Sequence, residues 1–174
     1  MTRINKTLVA LFAVAALFTV LTGSMFAQST ASANGNAEAR IVAGIAIANN
    51  ANLAFGQVVR SAAAGTVVLN PSTNDRTATG GVTLGQNAGF NAAQFTVTGE
   101  PAYKFQLTVP SSINISNGSA TMKVDGFTTS LASNQGTLDV SGTTVFSLGA
   151  TLNVDANQAT GTYSGSFNVT AAYQ

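Results

Sequence analysis

The sequence predicts an all-β protein, an antiparallel β-sandwich of about 8–10 strands that follows a helical signal peptide. Three observations lead to this prediction. Apolar and polar residues alternate with a period of two in many short runs, turn-forming residues separate the runs, and an apolar stretch stands at the N-terminus. The chain has 174 residues, a length that fits one domain after a leader.

The first 27 residues have the three parts of a secretory signal peptide. Arg3 and Lys6 supply positive charge, residues 8–21 form an apolar run, and Ala27 ends a small-residue cleavage motif. The run is shorter than the ~20 residues that a spanning helix needs. We therefore expect cleavage after Ala27, with Ala33 as a second option. An uncleaved anchor is the alternative; otherwise we expect Sec export to the periplasm, cell surface or medium, without stable membrane insertion.

The remainder of the chain is predicted to hold a polar arm and one domain. Residues 28–40 contain no Val, Ile, Leu or Phe, which is typical of a flexible arm. Residues 41–174 carry the alternating runs and form the predicted sandwich domain. After the leader, five basic residues stand against six acidic ones. Because no basic patch exists, nucleic acid is excluded as a partner.

Eleven runs of residues with strand character can be read in order along the domain. The stretches between the runs are rich in Gly, Asn, Ser or Thr, and Asn117-Gly118 is a hairpin-type dipeptide. The runs are 40–48, 53–59, 66–69, 81–84, 93–99, 103–109, 120–127, 136–140, 144–148, 151–156 and 161–174.

The last run is predicted to be a strand that is apolar on one face and polar on the other. A slip of one residue would place the whole apolar set in water, so the register is well specified. The apolar face comprises Tyr163, Gly165, Phe167, Val169, Ala171 and Tyr173. An outer-membrane barrel also alternates in this way, but three tyrosines and no tryptophan are too few for two aromatic girdles.

The residue inventory argues against catalysis. Without histidine or cysteine, the common triads, thiol chemistry and ordinary zinc sites are excluded. Most of the acidic residues fall in or beside turns, and the ligand loop that Asp125 and Asp155 would need for calcium is missing. We predict no catalytic, cofactor-binding or metal-binding residues, and no enzyme activity.

Several motifs in order resemble one bacterial family. They are LAFG at 53–56, FTVTG at 95–99 leading to LTVP at 107–110, and the closing block at 152–170. The chain resembles the domain-of-unknown-function family DUF4402 over nearly all of its length after the leader. Members are similar in shape to pilin and adhesin sandwiches of Gram-negative bacteria. The resemblance implies an immunoglobulin-like or pilin-like sandwich and a surface setting, and it implies no activity.

The closing block is also similar to the tail of chaperone–usher pilins, which have a penultimate tyrosine and a glycine fourteen places from the end. This similarity implies that subunits pair by strand addition at a sheet edge. The predicted donor residues are Ile41, Ala43, Ile45 and Ile47. The predicted acceptor residues are Gly161, Phe167, Val169 and Tyr173.

Two features differ from those pilins. The chain lacks the usual disulfide because it has no cysteine, and the arm 28–40 lacks large apolar residues. We therefore favour the alternative to donation, in which residues 41–47 form the first strand of the chain's own sheet.

Two functions follow from these patterns. The first is a non-catalytic secreted or cell-surface structural or adhesive protein, a pilin-like subunit. Its predicted partners are further copies of itself or a periplasmic chaperone. The alternative is a monomeric extracellular binding module, for example for carbohydrate.

Overall fold

The computed structural model describes residues 30–86 and 89–174, and this part of the chain is built almost entirely from strands. The predicted all-β antiparallel sandwich is confirmed. The predicted signal peptide and the first two residues of the arm lie outside the described residues. Residues 41–174 form one compact unit. No helix in the described ranges is long and apolar enough to cross a bilayer.

Within the described ranges there are fourteen strands and one short 3-10 turn, at Ala132–Asn134. Ten strands have three or more residues, in line with the predicted number, and four have two. The strands are β1 (Ala46–Ala51), β2 (Ala54–Phe55), β3 (Val58–Val59), β4 (Gly65–Leu69), β5 (Arg76–Gly80), β6 (Thr83–Leu84), β7 (Phe90–Asn91), β8 (Ala93–Thr98), β9 (Lys104–Thr108), β10 (Ser112–Ser116), β11 (Thr121–Thr129), β12 (Gln135–Thr137), β13 (Thr143–Val154) and β14 (Thr170–Tyr173).

The larger sheet has the order β1-β8-β13-β11-β10, and β4 and β5 are attached to it through β13. The 12-residue strand β13 makes this possible, because its first half pairs with β8 and its last four residues pair with β4. The smaller sheet has the order β12-β9-β14. Two short ribbons, β2-β7 and β3-β6, complete the strand pairing.

The first core lies between the two sheets. Phe105 of β9 is fully buried, and the rings of Phe95 and Phe146 stack with centroids 5.4 Å apart. The alternation of β8 and β9 places these side chains inward, as the sequence predicts for two-sided strands. The buried members of this core are Ala93, Phe95, Val97, Phe105, Leu107, Leu138, Phe146, Leu148 and Val169.

A second core lies under the two short ribbons. Leu53, Phe55 and Val58 pack against it. Arg76 fastens the ribbons, because its guanidinium donates to the carbonyl oxygens of Phe55 (2.6 Å), Gln57 (3.2 Å) and Gly85 (3.3 Å). The buried members of this core are Val67, Val82, Val124, Ala150, Leu152 and Val154.

The closing run keeps the predicted alternation of burial but is only partly a strand. Even-numbered residues from 162 to 172 are exposed, while Val169 is buried and Phe167 is half-buried. Ser164 forms an isolated bridge with Ser116 of β10, and the ladder with β9 begins at Thr170. The segment passes from the larger sheet to the smaller one, so it buries alternate side chains without a continuous ladder partner.

The packing of Phe105 yields a stability prediction. A Cβ on Gly136 of β12 would run into the Phe105 ring, so the two strands approach closely over that side chain. We expect Phe105→Ala to lower the free energy of unfolding by about 3–5 kcal/mol, because it leaves a cavity between the sheets. Urea unfolding followed by circular dichroism would measure this. Val140→Ala, at a side chain that is 95% exposed, is the control and should change little.

Candidate assembly site

The predicted donor residues do not share one environment. Ile41 is 96% exposed and Ala43 is also exposed. Ile45 and Ile47 are half-buried and pack against the first core. Strand β1 begins at Ala46, so the first three donor residues precede the ladder.

Ile47 belongs to the chain's own larger sheet. It pairs with Val97 of β8, and Ala46 pairs with Thr98. This arrangement is the one that the alternative interpretation of residues 41–47 describes. The role of the segment as a donor to another subunit stays a prediction.

The backbone of Ala43 is held by two side chains from distant parts of the chain. The Ala43 N–H donates to Oε2 of Glu100 at 3.0 Å, and the Tyr173 hydroxyl donates to the Ala43 carbonyl at 2.8 Å. The same hydroxyl accepts the Glu100 N–H at 2.7 Å. We call Glu100 and Tyr173 the backbone clamp. The clamp binds both the N–H and the carbonyl of Ala43, and these two bonds do not involve the Ala43 side chain.

The surroundings of Tyr173 fix its position. A Cβ on Gly99 would run into the Tyr173 hydroxyl, so only glycine leaves room for the ring there. The ring of Tyr103 meets that of Tyr173 edge-on, with centroids 5.5 Å apart. In the ladder, Tyr173 pairs with Phe105 of β9. Tyr173 is therefore held on strand β14, while Glu100 lies in the bend that follows β8.

A tight turn at residues 139–143 lies next to Gly99, the residue that precedes Glu100 of the clamp. Oδ1 of Asp139 accepts from the Ser141 hydroxyl (2.6 Å), the Ser141 N–H (2.8 Å) and the Thr143 N–H (2.9 Å). These bonds, that from the Ser141 hydroxyl first, hold the pKa of Asp139 below its ordinary value. The turn binds the chain just after β8, because the Gly99 N–H donates to the Gly142 carbonyl at 2.9 Å.

The edge strands beside the clamp each have one partner strand. Strand β14 pairs with β9 along one edge, and β1 pairs with β8 along one edge. In the ranges that the structure describes, no strand pairs with the other edge of either. Unpaired edges are where an added strand forms main-chain hydrogen bonds.

The predicted acceptor residues are only partly brought together. Val169 is buried in the first core, and Phe167 packs its ring 5.4 Å from Phe127. Gly161 contacts the Asn117 side chain, where a Cβ would crowd the amide, so its role is in a turn. Of the four, Tyr173 contacts the segment that precedes β1 directly.

Glu100 and Gly99 belong to this site although no sequence pattern predicted them. The sequence shows them only as a turn before Pro101, and Glu100 stands 57 residues from Ala43. The signal that was available was the penultimate position of Tyr173.

Two further observations concern the acidic residues outside the clamp. Among the described residues, no group of three Asp or Glu side chains could hold a metal ion. Asp125 pairs with Lys123 at 2.9 Å and accepts from Asn153 at 3.0 Å. These two bonds, that from Lys123 first, hold the pKa of Asp125 below its ordinary value.

A polar cavity of about 250 Å³ lies apart from the clamp, where the β4–β5 turn meets β8 and β13. Asn74 stabilises its wall by accepting the Ala92 N–H at 2.7 Å. The lining carries no charged side chain, so it suits a small neutral ligand. The lining residues are Ala51, Pro71, Ser72, Thr73, Asn74, Asn91, Ala92, Gln94 and Ser147.

Removing one hydroxyl tests the clamp. Tyr173→Phe deletes the acceptor of the Glu100 N–H and the donor to Ala43, and we expect a loss of about 1–2 kcal/mol of stability. Amide hydrogen exchange should become faster at Glu100. Tyr163→Phe is the control, because that hydroxyl also makes two bonds but to Gln158 and Ala159. Unchanged exchange at Glu100 in Tyr173→Phe would contradict the assigned geometry.

The Asp139 turn predicts a dependence on pH. The pKa of this carboxyl is lowered in the folded state, so its contribution is present above the unfolded pKa and is lost as pH falls through the folded pKa. We expect Asp139→Ala to lower the melting temperature at pH 7 by a few degrees, and the difference to shrink in acid. Melting curves of Val140→Ala, in the same turn, serve as the control. A difference that is constant with pH would show that the carboxylate charge does not matter.

The comparisons with known proteins give a family but no function. No curated protein and no solved structure matches the chain. Residues 45–173 match the family described as Domain of unknown function (DUF4402). The match begins at Ile45 and ends at Tyr173, so it spans the sandwich and the tyrosine of the clamp. The chain belongs to the DUF4402 family.

Proposed function

We propose that the chain is a non-catalytic structural subunit that is exported, displayed at the cell surface and assembled with copies of itself through its strand edges. The observation that carries the proposal is the arrangement around the clamp. An edge strand of each sheet, β1 and β14, meets there, and each has one partner strand. Adding a strand at such an edge is a common way for β-proteins to bind each other.

The exposed apolar residues next to the clamp support the same function. Ile41 is 96% exposed and Val42 is 36% exposed, just before β1. Burying one such side chain is worth about 1.5–3 kcal/mol. An assembly that covers Ile41 and Val42 therefore gains free energy that the isolated subunit does not have.

The export signal in the sequence and the exposed edges together suggest a transient partner. A subunit with open edges risks pairing with the wrong chain before it reaches its site of assembly. A periplasmic chaperone that covers the β1 and β14 edges would prevent this. The low charge of the chain and its sequence, which lacks histidine and cysteine, fit a structural or adhesive role better than an enzymatic one.

A monomeric binding module is the second candidate. The polar cavity is the observation in its favour, because its wall offers uncharged hydroxyl and amide groups from Ser72, Thr73, Gln94 and Ser147. Its ligand would be a neutral, hydroxyl-rich molecule such as a single sugar unit. The two candidates differ in oligomeric state.

Self-assembly is tested with the full chain, expressed with its own leader and recovered after export. We expect the N-terminus at Gln28 by mass spectrometry, and oligomers that grow with concentration in size-exclusion chromatography with light scattering. Electron microscopy should show filaments or chains. Replacing Ile41 and Val42 with serine should weaken assembly, because it removes the exposed apolar side chains.

Val140→Ser is the matched control, since Val140 is 95% exposed but belongs to the turn at 139–143. An equal effect of this variant would refute a specific role for Ile41 and Val42. A monomer at every concentration would contradict the structural function. Shifts of the Gln94 and Ser147 resonances on adding glucose or N-acetylglucosamine to such a monomer would favour the binding module.

A further inference from the structure

We propose that copies of this chain join by exchanging residues 41–51, so that the clamp of one copy holds Ala43 of the next. This inference rests on the proposed structural function and names the exchanged segment and its receptor. The exchanged segment comprises the residues just before β1 and β1 itself. The partner is a second copy of the chain.

Strand β1 is weakly attached to its own sheet. It pairs with β8 along one edge, and the register shifts between Asn49 and Ala51. Four of its six residues are exposed, while Ile47 and Ala51 are half-buried. A strand that buries so little can leave its site at a smaller cost than a central strand such as β13, which is paired on both edges.

The clamp holds Ala43 through the backbone of that residue. Glu100 accepts the N–H of Ala43 and Tyr173 donates to its carbonyl, so the clamp fits the same segment from any copy of the chain. The Glu100 N–H also donates to the Tyr173 hydroxyl, a bond that involves no atom of residues 41–51. An exchanged copy therefore regains both bonds from the clamp to Ala43.

The connection after β1 is short. Only Asn52 and Leu53 separate β1 from β2, and Asn52 is exposed. Short hinge connections favour exchange, because a slight change of backbone direction carries the strand away from its own sheet.

Disulfide trapping tests the exchange in a chain that has no cysteine of its own. Ala46 and Thr98 are paired across β1 and β8, and both side chains are exposed. Cross-strand pairs lie close enough for a disulfide to form with small adjustments. We expect a mixture of Ala46→Cys and Thr98→Cys chains to form a mixed disulfide dimer under mild oxidation.

The control is a mixture of Val140→Cys and Thr98→Cys chains, since Val140 is equally open to solvent but lies outside β1. The mixed dimer from the Ala46→Cys chain should form at least about tenfold more than this control, because exchange holds the two thiols together. Equal yields would overturn the exchange.

Locking the strand separates this inference from the proposed function. A chain with both Ala46→Cys and Thr98→Cys, oxidised as a dilute monomer, has β1 fixed in its own sheet. We expect it to stay monomeric and to assemble after reduction. If the locked chain assembles as the unlocked chain does, the exchange is wrong and the structural function stands. If neither assembles, both fail.

Discussion

The unpaired edges of the two sheets are the constraint on which the rest of the structure depends. A sandwich buries its side chains between the sheets, but the backbone at each edge still exposes donors and acceptors. At the β1 and β14 edges, backbone groups are bound by side chains of the chain itself and not by a further strand. Glu100 and Tyr173 bind a single residue, Ala43, and leave most of the edge backbone available.

The chain achieves this without a disulfide, so its stability rests on packing and ladder hydrogen bonds. The β13 strand joins the two cores, because Phe146 and Leu148 lie in the first and Leu152 and Val154 in the second. Strand β1 adds only the half-buried Ile47 and Ala51 at the edge of this arrangement. The fold therefore has a central strand that contributes to both cores and a peripheral strand that covers the first core at its edge.

Sequence alone predicted the features that depend on local alternation. The two-residue period placed Phe105 and Leu107 inward, and it placed Phe167, Val169 and Tyr173 on the more buried face of the tail. It could not show that this tail switches sheets, since burial alternates whether or not a ladder is present. The sequence named Ala43 and Tyr173 separately, but it could not show that they bind each other, because they are 130 residues apart.

The long separation along the sequence also explains why the predicted donor and acceptor residues did not include every residue of the site. Residues chosen by period share a strand face, but a site at a sheet edge is formed where two sheets meet. Gly99 shows the difference: its importance lies in the space that it leaves for the Tyr173 hydroxyl, and no periodicity marks it. The edge at β1 is closed by one hydroxyl and one carboxylate at Ala43 and by the packing of Ile45 and Ile47 on the first core, whereas β13 contributes fully buried residues to both cores. If subunits join through a strand, as we propose, β1 is therefore the strand whose release removes fewer buried side chains than release of a central strand would.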